Sequence, residues 1–168
     1  MFFNSIRKCT LLTGIAFLFV FNACGSEKEY PLAPDIPLDV LQEAPESIDL
    51  KDREYHLEAY LWRDFMPISP PQGKPLIALI RLVEQSEREI PGDLGMEYLW
   101  VINGQQIWAT TFSNEKLPPH PKHELHRIAR NGPKWGPHIE VDVIVGLKRD
   151  DGHLELLKAP DQWINRTD

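Results

Sequence analysis

MEYLWVINGQQIWATTF, residues 96–112, is the stretch whose reading decides the fold. Two runs rich in β-branched and aromatic residues flank Asn103-Gly104. Asn-Gly between such runs is the favoured tight hairpin turn, because both residues tolerate positive φ. With those two residues as the loop, Ile102 faces Gln105, Trp100 faces Ile107 and Leu99 faces Trp108. One face then carries Met96, Tyr98, Trp100, Ile102, Ile107 and Ala109; it is the more apolar and is expected to face the core. The other carries Glu97, Leu99, Val101, Gln106, Trp108, Thr110 and Phe112. Apolar residues within a polar rim are how binding patches are commonly built. Leu99, Val101 and Trp108 are therefore expected to form an outward surface that takes a partner.

The period of two continues on both sides of this hairpin. Tyr55, Leu57, Ala59 and Leu61 alternate with Glu54, His56, Glu58 and Tyr60. Leu76–Val83 is apolar on both faces except at Arg81, as a central strand would be. His123–Arg130 reads as a weaker strand. In Ile139–Leu147 the residues Ile139, Val141, Val143, Val145 and Leu147 face in, while Glu140 and Asp142 face out. Asp151-Gly152 is expected as a two-residue turn, pairing Leu147 with Leu156 and Lys148 with Glu155. His153–Lys158 is then the last strand, and Ala159–Asp168 a polar tail. Proline- and glycine-bearing loops separate these runs. Seven short strands without an amphipathic helix predict an all-β domain over residues 52–168, a two-sheet sandwich of immunoglobulin-like type. A small β-barrel is the alternative. Trp135, in the loop NGPKWGP, joins Trp108 as an aromatic binding candidate, with a place at the edge of the core as the competing reading for both.

Residues 1–23 have the pattern of a secretory signal peptide: Arg7 and Lys8, then a greasy run from Leu11, then Ala23 before Cys24. The run is too short to cross a bilayer of roughly 30 Å as a helix. The stop Phe21-Asn22-Ala23-Cys24 resembles the lipobox of bacterial lipoproteins. That resemblance covers only the first 24 residues, and Phe21 and Asn22 depart from its usual Leu or Val followed by a small residue. It implies diacylglyceryl attachment at Cys24 and cleavage before it. Gly25, rather than Asp, after the cysteine implies sorting to the outer membrane of a Gram-negative envelope. Multiple acyl chains satisfy the two-signal rule for stable anchoring. Residues 24–51 are expected to be a tether, because Pro31, Pro34 and Pro37 recur at the three-residue period of polyproline II. An edge strand over Ile36–Leu41 is the alternative.

The chain of 168 residues has a formal charge of −7, and loss of the two basic residues of the leader makes it more negative. That balance argues against a nucleic-acid partner. Both cysteines, Cys9 and Cys24, lie at the leader. The domain is thus expected to stand without disulfides and without thiolate chemistry. His120, His123 and His126 invite a metal reading, but on a strand His123 and His126 should point to opposite faces, so no metal and no cofactor is expected. Glu140 and Asp142 share one strand face at about 7 Å, a spacing compatible with paired-carboxylate glycoside chemistry. Alternation for solubility explains the same pattern, and no catalytic motif accompanies it. The reading is a membrane-tethered, non-enzymatic domain that binds an envelope protein or glycan. A structural subunit of an envelope assembly and a glycan-acting enzyme are the rivals.

Overall fold

The computed structural model describes residues 33–149 and 151–168. The described residues form one short helix, α1 (Leu38–Gln42), and eight strands: β1 (Ser47–Asp49), β2 (Glu54–Asp64), β3 (Leu76–Glu84), β4 (Leu94–Asn103), β5 (Gln106–Thr111), β6 (Glu124–Gly132), β7 (Glu140–Arg149) and β8 (Leu154–Thr167). The protein is all-β. The strands follow the order β5-β4-β7-β8-β2-β3-β6, with β1 paired to β2 off this path. The sheet is mixed, since β2 and β8 run parallel while the other pairs are antiparallel. It curls so that both halves contribute to one core, from Leu57, Leu61 and Ile80 on one side to Leu99, Val143 and Leu157 on the other.

β8 joins the two halves. Its first part pairs with β7 and its last part, Ile164–Thr167, pairs with Leu61–Asp64 of β2. Between them the register jumps: Val143 faces Ala159, but Val141 faces Gln162. The extra residue lies on β8, where Asp161 sits at φ 54°. Its backbone N–H donates to Asp142 Oδ1 at 3.1 Å. A bulge of this kind bends a strand and increases its twist. Residues 159–168, expected as a polar tail, are thus mostly strand, and Ile164 is fully buried. The alternation was hidden by the bulge at Pro160-Asp161.

The first hairpin is shifted from expectation. Asn103 faces Gln106, Ile102 faces Ile107 and Val101 faces Trp108. The loop is Gly104-Gln105, with positive φ only at Gly104 (59°), the pattern of a type II′ turn. A second irregularity matters more. Met96 faces Leu147 and Tyr98 faces Gly146, so Glu97 is an extra residue on β4. This bulge reverses the parity of the strand. Leu94 and Met96 point into the main core, and beyond the bulge so do Leu99 and Val101. Tyr98, Trp100 and Ile102 face the other way. The face expected outward is inside.

The second hairpin also differs. It closes between Arg149 and His153, with Arg149 accepting from the Gly152 N–H at 2.8 Å and Gly152 at φ 81°. The loop is one residue longer than the expected Asp151-Gly152 turn. Leu147 therefore faces Glu155, and Val145 faces Leu157. A one-residue slip moves every side chain to the opposite face. Leu157 fills the main core, Leu156 lies on the outer side, and Lys148 pairs with Glu97 at 3.2 Å rather than with Glu155.

Residues 33–44 cover the outer face of β4 and β7. Ala33, Leu41 and Ala44 bury Trp100, Ile102 and Ile144. Trp100 Nε1 donates to Pro34 O at 3.3 Å, and Lys158 Nζ donates to Gln42 O at 2.7 Å. The expected tether of residues 24–51 thus packs on the domain from Ala33 onward, and β1 adds a strand to the expected seven. This strap explains why β4 and β7 carry apolar residues on both faces.

Candidate binding surface

Leu99 and Val101 are fully buried in the main core. Trp108 and Trp135 are half-buried and pack against the same core. Trp108 rests on Gly132 of β6, where an added Cβ would come within 2.7 Å of its ring. The four residues expected to present a binding surface therefore face or edge the interior. Glu140 is exposed, and Asp142 holds the bulge of β8. Cys24 lies outside the described residues.

Two of the three histidines, His120 and His126, come together, a pair the strand argument on His123 and His126 does not address. The rings of His120 and His126 stack at 4.2 Å. His126 Nε2 lies 2.5 Å from Glu124 Oε2, and His123 Nε2 lies 3.7 Å from Glu124 Oε1. The hydrogen bond from His126 holds the Glu124 carboxyl below its usual range. Among the described residues no group of three or more His, Cys, Asp or Glu side chains has a metal-binding arrangement.

The exposed aromatic surface lies on the outer face of β2, β3 and β8. Tyr60 is 48% exposed and Trp163 is 53% exposed, with Trp62 half-buried on the same side of β2 as Tyr60. The Tyr60 and Trp62 rings are 5.4 Å apart and tilted by 35°. On β3, Leu79 stands opposite Tyr60 and Ile77 opposite Trp62. On β8, Asn165 stands opposite Trp62 and donates to Leu61 O at 3.1 Å and Trp163 O at 3.3 Å. Charged pairs border this surface along β2: Glu58 with Arg81, and Asp64 with Lys74 at 2.6 Å. The Lys74 hydrogen bond holds the Asp64 carboxyl below the usual carboxylate range.

The surface stands on a braced frame. Arg63, next to Trp62, points inward and is buried. Its guanidinium donates to the carbonyls of Lys74 (3.0 Å), Lys134 (3.0 Å), Gly136 (2.8 Å) and Gln72. One side chain thus ties the β2–β3 loop to the β6–β7 loop, and carbonyl dipoles rather than a carboxylate answer its charge. A rigid aromatic face with a polar border can take a partner at small entropic cost.

This surface lies outside the residues the sequence pattern marks as binding candidates. Tyr60 and Trp62 occupy the polar positions of the β2 alternation, and large aromatics at that parity were the available signal. Trp163 falls in the stretch expected as a polar tail, most of which belongs to strand β8. No protein-family model matches the chain, and neither a curated protein nor a solved structure does.

Proposed function

We propose that the chain is a lipid-anchored, non-enzymatic binding domain of a bacterial cell envelope, held at the outer membrane through Cys24. Its partner is another envelope component, a protein or a glycan. The observation that carries the reading is the exposure of Tyr60 and Trp163 beside Trp62 on a sheet face that nothing among the described residues covers. Large aromatics are costly to leave in water and are enriched where proteins bind partners. The leader pattern supports the location, and the acidic balance suits a domain that does not dock on anionic lipid. We also infer an immunoglobulin-like sandwich as the architecture. The lack of β5–β6 pairing supports it over a closed barrel, since the path of strands ends at those two edges.

The test is binding of the full-length lipidated protein to purified envelope glycan and to detergent-extracted envelope proteins, compared with Trp163→Ala and Tyr60→Ala. The reading expects both variants to lose binding while unfolding at the wild-type midpoint. Equal binding by wild type and variants would remove this surface from the function.

A further inference from the structure

The two edges of the sheet, β5 and β6, approach without forming a strand pair. Trp108 seals one end of this seam against Gly132. At the other end the seam opens into a cleft of about 400 Å³ between Met96–Tyr98 of β4, Thr111–Asn114 and Arg127 of β6. Met96 and Phe112 are nearly buried and give it an apolar side. Ser113 is fixed there by its N–H, which donates to Ile128 O at 2.8 Å.

Arg127 decides the chemistry of this cleft. It stands directly opposite Ile80, a fully buried core residue, and so lies on the inward side of the sheet. Yet it is exposed, because no strand pairs with β6 on that side. The other arginines of the described residues are all engaged. Arg81, Arg88, Arg130, Arg149 and Arg166 each hold a carboxylate, while Arg53 and Arg63 hold carbonyls. Among the described residues the Arg127 guanidinium has no such partner. The carboxylates near it are already answered: Glu97 by Lys148 at 3.2 Å and Glu115 by Arg130 at 2.9 Å. A smaller polar hollow of about 200 Å³ adjoins the cleft at Ser113 and Arg127; it adds Lys116 beside Glu115, whose carboxylate Arg130 holds, and the stacked His120 and His126. A protein of net charge −7 thus gathers uncompensated positive charge at one concave place.

A guanidinium presents paired N–H donors that match the two oxygens of a carboxylate or phosphate. Pockets with an apolar lining and a few placed polar groups are where small ligands bind. We propose that this cleft binds a small organic oxyanion, with its carboxylate or phosphate head on Arg127 and its apolar part against Phe112 and Met96. This site is separate from the aromatic surface of β2 and β8.

The experiment is isothermal titration of the full-length protein with benzoate, phenyl phosphate and the neutral benzamide. Saturable binding of at least one anion is expected, about tenfold tighter than benzamide, and weakened about tenfold or more in Arg127→Gln. Arg127→Lys keeps the charge without the fork and should fall between. The tighter of the two anions identifies the head group. Arg127 is exposed, so Arg127→Gln should unfold at the wild-type midpoint; if it does not, Arg127→Lys carries the comparison. No saturable binding of either anion, equal binding of benzamide, or undiminished binding by both variants overturns the proposal. If wild type binds neither anion and Arg127→Gln self-associates, the residue is a charge guarding an edge strand against pairing.

Discussion

Trp108 and Gly132 are in contact across a seam where β5 and β6 form no strand pair and a single backbone hydrogen bond, Ser113 N–H to Ile128 O at 2.8 Å, crosses. A Cβ at position 132 would meet the indole ring at 2.7 Å. Gly132→Ala should therefore overpack this junction, at a cost of about 1–3 kcal/mol. Trp108→Ala should cost about 3 kcal/mol, as truncation of a core-packed Trp does. The double variant should recover part of the sum, because removing the ring makes room for the methyl group. Urea unfolding of the three variants checks this; strict additivity would mean that the ring does not rest on the glycine.

The register of the second hairpin is testable through neighbouring leucines. Leu157 is fully buried in the main core, so Leu157→Ala should cost about 2–5 kcal/mol. Leu156 is half-buried under the strap, and its truncation should cost distinctly less. Lys148→Ala should change stability by at most about 1 kcal/mol, since its pair with Glu97 is exposed. A larger loss at Leu156 than at Leu157 would restore the register expected from Asp151-Gly152.

These two hairpins show where the sequence was legible. In β7 the alternation is legible: Val141, Val143, Val145 and Leu147 all face the main core, because a regular strand keeps strict alternation. The apolar run of β3 marks a central strand, and it lies between β2 and β6. Elsewhere a single extra residue defeated the pattern. Glu97 on β4 and the bulge at Asp161 each add one residue to a strand, and the loop after Arg149 adds one to a turn. Bulges carry little compositional signal, yet each reverses which face is buried. The strap was illegible for another reason. Apolar residues on both faces of β4 fit a covering segment as well as a binding patch, and nothing in them points to residues 33–44 as the cover.

Glu84 gives the stability a pH dependence. Its side chain is fully buried, and burial alone would push its pKa up; the hydrogen bonds from Arg88 and the charge of that residue outweigh this and hold it below the usual range. Arg88 N and Nε lie 2.7 and 3.0 Å from the carboxylate. A depressed folded-state pKa contributes stability that is present above the unfolded pKa and is lost as pH falls through the folded one. Stability should thus decline from about pH 5 downward, and Arg88→Ala should flatten that decline by letting the pKa of Glu84 rise. Urea midpoints across this range measure it; an unchanged slope in Arg88→Ala would assign the effect to other carboxylates.

At the amino terminus, Cys24→Ser should abolish acylation and leave residues 1–23 attached. Intact-mass spectrometry of membrane-extracted protein reads both. A wild-type chain that starts elsewhere and carries no lipid would refute the anchor.

The place of β8 at the middle of the strand order sets an order of events. The β2–β3–β6 half and the β4–β5–β7 half share no main-path strand except β8, and Leu61 meets Ile164 across a hundred residues of intervening chain. Each half can draft its own hairpins early, since those contacts are local. The joint between them waits until Leu154–Thr167 has been synthesised. Assembly is therefore governed by long-range closure rather than by hairpin formation, which places this chain among slow-folding topologies. Until β8 arrives, β7 and the Leu61–Asp64 end of β2 present unpaired edges, and protecting them is a task for the cell that makes the protein.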